Sequence, residues 1–155
     1  MYSGLGIAYK AHKNISLGAI YEFQVLQKSE DYFQLRHRAK FYLQPSVSFN
    51  RFTLSLREMG QMTYSTSPAW ELRSRLKLNY SFINKHLKPY ISVEMYNPLD
   101  KAVYEKSWVS SVDYKVGLEW NIDSINGLDF YYLFEHAVPN NAGYHTIGVA
   151  YNLGL

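Results

Sequence analysis

Apolar and polar residues alternate with a period of two along almost the whole chain, and helical stripes are scarce. That period puts one set of side chains on each face of an extended strand, so a chain like this has to fold as β-structure. The alternation runs over residues 4–10, 15–25, 33–43, 52–57, 71–82, 90–96, 111–120, 129–135 and 146–155. In the third run Phe33, Leu35, His37, Ala39, Phe41 and Leu43 face one way; Gln34, Arg36, Arg38, Lys40 and Tyr42 face the other. Breaks fall at residues 12–14, 28–31, 45–51, 65–68, 84–86, 97–106, 123–127 and 139–143, each with turn-forming residues. The fourth run loses its register at Glu58-Met59-Gly60, where the glycine predicts a bulge. The reading is one all-β domain over residues 1–155 with about nine antiparallel strands. Most are about 9–13 residues long, against ~5–6 in soluble proteins and ~9–11 for a tilted membrane strand.

Composition removes several alternatives. With no cysteine, the chain has no disulfide framework, thiolate zinc site or cysteine nucleophile. A net charge of +3 is too small to argue for nucleic acid. No apolar run approaches the ~20 residues of a membrane helix.

The polar face decides which solvent each side meets. It carries Arg36, Arg38, Lys40, Arg57, Arg73, Arg75 and Lys77 on three consecutive strands. In a soluble barrel these would form a solvated exterior and the apolar face a packed core. The apolar face is instead crowded with large rings, and the polar face is rich in Gly, Ala and Ser at both ends of the chain. Turning the apolar face to lipid and the polar face to a lumen removes the crowding. Ring placement agrees. Tyr32, Tyr64, Trp70, Trp108 and Tyr144 fall at one set of strand ends, and Phe52, Tyr80, Phe82, Trp120 and Phe130 at the other. Two girdles suit two membrane–water interfaces.

The charges on the polar face are the candidate functional constellation. Glu22, Glu94, Asp113, Glu119, Asp129 and Glu135 flank the basic strands, so closing the sheet sets an acidic wall against a basic one. Such charges either cross-brace a lumen or hold a transverse field across a pore. Arg36, Arg38, Arg57, Arg73 and Arg75 are expected to form one cationic wall, mostly bridged by Glu71, Glu94 and Glu22, with a slight anion preference. His12, His37, His86, His136 and His145 show no metal-ligand spacing, and no serine stands convincingly beside His136 or His145. No catalytic residue, metal site or cofactor is expected, and the chain is not read as an enzyme.

Several segments resemble one family. They are Arg36-His37-Arg38, Leu54-Ser55-Leu56-Arg57, Leu72-Arg73-Ser74-Arg75-Leu76, Pro89-Tyr90-Ile91-Ser92-Val93-Glu94-Met95-Tyr96, Gly117-Leu118-Glu119-Trp120 and Gly148-Val149-Ala150-Tyr151-Asn152. The family is an uncharacterised outer-membrane β-barrel group of Bacteroidota, a domain of unknown function. The resemblance spans nearly the whole chain. It implies a transmembrane barrel in the bacterial outer membrane, with further strands and a signal peptide ahead of Tyr2, and it implies no reaction. Met1-Tyr2-Ser3-Gly4 has neither a basic nor an apolar signal region.

The combined expectation is an antiparallel transmembrane β-barrel, with about nine strands here and ten to twelve in the complete protein. Its expected role is porin-like or structural, with passive passage of small polar solutes. The alternative is a non-conducting accessory subunit of a larger outer-membrane assembly. The lipid bilayer and other outer-membrane proteins are the expected partners. The even strand number of bacterial barrels predicts an odd number of strands, about three, before Met1. Arg placed at Ser55 or Gly148 is expected to cost less than Arg on the apolar face if the lumen has room.

Overall fold

A computed structural model of the chain describes residues 2–29, 32–65, 68–82, 86–100, 108–123 and 125–153. Nine strands account for most of them: β1 (Tyr2–His12), β2 (Ile15–Ser29), β3 (Tyr32–Phe49), β4 (Phe52–Tyr64), β5 (Pro68–Tyr80), β6 (Leu87–Pro98), β7 (Ser111–Asn121), β8 (Asn126–Ala137) and β9 (Ala142–Leu153). They form one antiparallel meander in the order β1 to β9. The only helical element among the described residues is a 3-10 turn, Val138–Asn140, so no helix there is long and apolar enough to cross a membrane.

The sheet is rolled into a half-barrel. Lys77 of β5 reaches Glu119 of β7, and Tyr90 of β6 reaches Asp129 of β8, so strands two apart turn the same face toward each other. β1 and β9 do not pair with each other, and both are edges of the described sheet.

The alternation read from the sequence becomes two faces with opposite chemistry. On the convex face β1 presents Leu5, Ile7 and Tyr9, and β9 presents Ile147, Val149 and Tyr151; Ile7 is 78% exposed and Ile147 86%. The concave face buries polar groups: Glu22, Lys40, Gln61, Ser92 and Asp113 are each less than a tenth exposed. Met59 and Tyr90 are the only buried hydrophobic residues among those described, so this sheet has no apolar core on either side.

Tyrosine rings and glycines pave the concave face. In the strand ladders Tyr42 lies opposite Gly18, Tyr90 opposite Gly117, and Tyr131 opposite Gly148. A Cβ built on any of these glycines would fall 2.2 to 2.5 Å from the facing ring. Each ring therefore lies flat over a backbone that only glycine leaves bare, a cross-strand rescue of glycine by an aromatic side chain.

Three sequence expectations change. The predicted bulge at Glu58-Met59-Gly60 is absent: pairing runs unbroken from Phe52↔Tyr80 to Tyr64↔Pro68. The polarity pattern reverses there instead, putting Met59 inside and Glu58 on the convex face. The break at residues 45–51 shrinks to the turn Asn50-Arg51, with Asn50 at φ 54°, a region asparagine tolerates. β3 passes through Pro45 because the β3–β4 ladder skips from Leu43↔Glu58 to Ser46↔Ser55, where a missing N–H costs little. β2 and β3 are also longer than expected, at 15 and 18 residues. Glu30, Asp31, Thr66, Ser67, Asn84, Lys85 and residues 101–106, which carried predicted breaks, lie outside the described residues.

The turns sort onto two rims. The strand ends His12 and Ile15, Phe49 and Phe52, Tyr80 and Leu87, and Asn121 and Asn126 lie at one end, and Tyr64 and Pro68, Pro98 and Ser111, and Ala137 and Ala142 at the other. At the first rim Phe49, Phe52, Tyr80 and Phe82 form a continuous ladder of rings on the convex face, with centroids 5.7, 5.1 and 5.2 Å apart. At the second rim Tyr64 and Trp70 project on the convex face. Tyr144 does not join them, because its register with Glu135 puts it on the concave side. The side chain of Tyr32 lies outside the described part of the structure.

Candidate functional site

The residues read as lumen-lining, Arg36, Arg38, Lys40, Arg57, Arg73, Arg75, Lys77, Glu22, Glu94, Asp113, Glu119, Asp129 and Glu135, all lie at concave-face positions of the ladders. β3, β4 and β5 carry the cations, and β6, β7 and β8 carry most of the anions. One ladder row states the segregation compactly. Arg57, Arg75, Glu94, Asp113 and Glu135 stand directly opposite one another on five successive strands. Like charges directly opposite are unfavourable unless neighbours compensate them.

Compensation is local. Lys40 pairs with Glu22, and Arg38 stands 3.9 Å from the same carboxylate. Arg73 donates to Glu94 from Nε at 3.0 Å, and its Nη2 lies 2.9 Å from the same carboxylate oxygen as an ion pair. Lys77 pairs with Glu119, and Lys115 with Asp129 at 3.1 Å. Tyrosines finish the network. The Tyr96 hydroxyl accepts from Arg73 at 2.8 Å and donates to Asp113 at 2.7 Å, while Tyr90 donates to Asp129 at 2.9 Å. The cations also lie over rings: Arg57 over Tyr42 at 4.6 Å, Lys77 over Tyr90 at 3.9 Å and Lys115 over Tyr131 at 3.6 Å.

The expectation that carboxylates bridge most of the arginine wall is corrected. Among the described residues Arg38 and Arg73 meet a carboxylate, whereas Arg36, Arg57 and Arg75 make no ion pair. Arg57 donates instead to Gln44 at 2.7 Å. Among the described residues Glu71 makes no ion pair either; it accepts from the amide of Gln61 at 3.4 Å. Arginine is long, and the nearest carboxylates are already held by lysines and by Arg73. At Gly148 the room on which the arginine expectation depended is not there, because the Tyr131 ring fills it.

Sequence reasoning missed Lys115, Gln61, Tyr42, Tyr90, Tyr96 and Tyr131. All sit at inward positions of the alternation, which is the signal that finds them once polar rings are counted with the charges.

Two cavities open between these side chains. One of about 160 Å³ is lined by Arg75, Ser92, Glu94, Asp113, Lys115, Tyr131 and Leu133. The other, about 310 Å³, is lined by Arg38, Gln61, Glu71, Arg73, Tyr96, Ser111 and Glu135. No group of three or more His, Asp and Glu among the described residues has a geometry that holds a metal ion. The histidines lie elsewhere. His37 bonds the Tyr21 hydroxyl at 2.6 Å and His145 that of Tyr132 at 2.5 Å on the convex face, and His86 meets the Asn121 carbonyl at 3.0 Å in a turn.

A family model described as a protein of unknown function (DUF2490) matches residues 2–144, from β1 into β9. The chain belongs to the DUF2490 family. For this DUF2490 chain the match covers every segment named above except Gly148-Val149-Ala150-Tyr151-Asn152, and it carries no stated activity. No curated protein and no solved structure matches it.

Proposed function

We propose that this DUF2490 protein is a transmembrane β-barrel of the bacterial outer membrane, porin-like or structural, that lets small polar solutes pass. One observation carries the reading: the sheet is inside out for water, burying Glu22, Lys40 and Asp113 on its concave face while Leu5, Ile7, Phe41, Ile147 and Val149 stand exposed on the convex face. Lipid is the solvent for which that arrangement is favourable. Strands of 11 to 18 residues give the needed reach, and ring ladders suit an interface. In lipid an open sheet edge leaves backbone groups unsatisfied, so the reading requires partners for β1 and β9. Nine strands leave β1 and β9 running the same way, and an odd number of further antiparallel strands completes such a barrel.

The alternative, an accessory subunit, is favoured by a patch at mid-strand on the convex face. There Glu58 accepts from Ser74 at 2.6 Å beside Gly60, whose Cα faces open space. Planar-bilayer recording of the purified chain separates the two. Conductance supports passage; its absence, with the protein inserted, transfers the weight to the accessory role. A protein that stays monomeric in buffer without detergent overturns both.

A further inference from the structure

We infer that the smaller concave-face cavity binds a small zwitterion, of the α-amino acid class, between Arg75 and Asp113. The inference rests on the concave face being the solute-accessible side, as proposed above. Four charged side chains line this cavity. Two are spent: Glu94 is taken by Arg73 at 2.9 Å, and Lys115 by Asp129 at 3.1 Å. The other two are one of each sign. Arg75 makes no ion pair among the described residues, and its buried Nε has no hydrogen-bond partner. Asp113 is 9% exposed; Tyr96 donates to its Oδ2, while its buried Oδ1 has no partner.

These two charges do not meet each other. Glu94 stands between them in the ladder, so their backbones lie two strand spacings, roughly 9.6 Å, apart. Each buried orphan costs free energy until something satisfies it. A carboxylate placed on the Arg75 guanidinium forms charge-assisted bonds, and the flanking Arg57 adds to the field at that end. An ammonium placed on Asp113 gains a partner at the other, where Glu135 stands opposite in the ladder. A lone anion or a lone cation satisfies one orphan and strands the other. The cavity, about 160 Å³, has room for roughly five waters at ~30 Å³ each, which is enough for a solute of glycine size.

Calorimetric titration of the full chain in detergent micelles tests this, with glycine, glycolate and methylamine as probes. Glycine should bind about tenfold tighter than either probe carrying one of its two charges, the loss expected for one charge-assisted bond. Arg75→Gln and Asp113→Asn should each weaken glycine about tenfold, and Arg75→Gln should leave methylamine unchanged. Glycine binding no tighter than glycolate and methylamine, or no glycine binding at all, overturns the inference. The probe comparison needs only the unaltered chain, so it decides the matter even where a variant fails to fold. Conductance without glycine binding sinks this inference and leaves the proposed function intact; glycine binding without conductance does the reverse.

Discussion

Replacing Gly117 with alanine isolates the packing rule of the concave face. The new Cβ would sit 2.5 Å from Cζ of Tyr90, a distance that real Cβ contacts do not reach, so the ring has to move. The ring is not free to do so. Its hydroxyl donates to both Asp129 oxygens at 2.9 and 3.0 Å, the Lys77 ammonium lies 3.9 Å from its centroid, and the residue is only 4% exposed. Overpacking costs about 1–3 kcal/mol, and losing a hydrogen bond to a charged group about 1.5–3 kcal/mol. Because the backbone relaxes in part, we expect a net loss of about 2–3 kcal/mol. Gly60→Ala is the matched control: nothing lies within 4 Å of its built Cβ, and neither glycine has positive φ. Relieving a glycine inside a strand should stabilise that variant by up to about 0.5–1 kcal/mol. Urea unfolding in lipid vesicles, followed by tryptophan fluorescence, reads both. In a Tyr90→Ala background the Gly117→Ala cost should vanish. Equal stability of the two alanine variants, or a Gly117→Ala cost that survives removal of the Tyr90 ring, would refute the packing account.

Other outcomes follow from single residues. Arg in place of Val93, at mid-strand on the convex face of β6, should lower stability by about 2–4 kcal/mol in vesicles, and Arg at Ser55 on the concave face by clearly less. Glu58→Leu should stabilise the isolated protein in vesicles, since a carboxylate facing lipid at mid-strand is unfavourable; in cells the same change should release any partner held at that patch, read by co-purification. Asp123 caps the β7–β8 turn by accepting from the Ile125 and Asn126 backbone N–H groups at 2.8 and 2.7 Å and from the Asn126 amide at 2.7 Å. These bonds, that from the Asn126 side chain foremost, hold its carboxyl below the ordinary value of 3.8. Its contribution is therefore complete above about pH 4 and is lost as pH falls through the lowered value, so Asp123→Asn should flatten the acid limb of the stability profile in that window.

Strand number and the division of side chains between faces were legible because the breaks count the strands and period two assigns the faces. Arg36 faces inward because Leu35 and His37 face outward, and no distant contact alters that. Three kinds of feature were not legible. Glu58 and Met59 break the polarity rule without breaking the ladder, and a sequence shows such a reversal and a bulge identically. Pro45 lies within β3 because the β3–β4 ladder has a gap there, which depends on β4. The partners of Arg57, Arg75 and Glu71 depend on which side chain across several strands reaches first, and alternation fixes faces without fixing reach. Tyrosine over glycine was hidden for the same reason: Tyr90 and Gly117 become neighbours only once the β6–β7 register is set.

The central claim is that the convex face meets lipid and the concave face water. The natural chain has no cysteine, so single-cysteine variants accept one spin label each. Labels at Leu76, Val93, Val116 and Val149 should collide with dissolved oxygen far more than with a water-soluble nickel complex when the full chain is reconstituted in vesicles. Labels at Ser55, Ser92 and Thr146 should show the reverse. Accessibility that inverts at every residue along β6, from Ser92 to Val93, is the result this account predicts. Nickel access at Val93 and Val116 equal to that at Ser92 would contradict it.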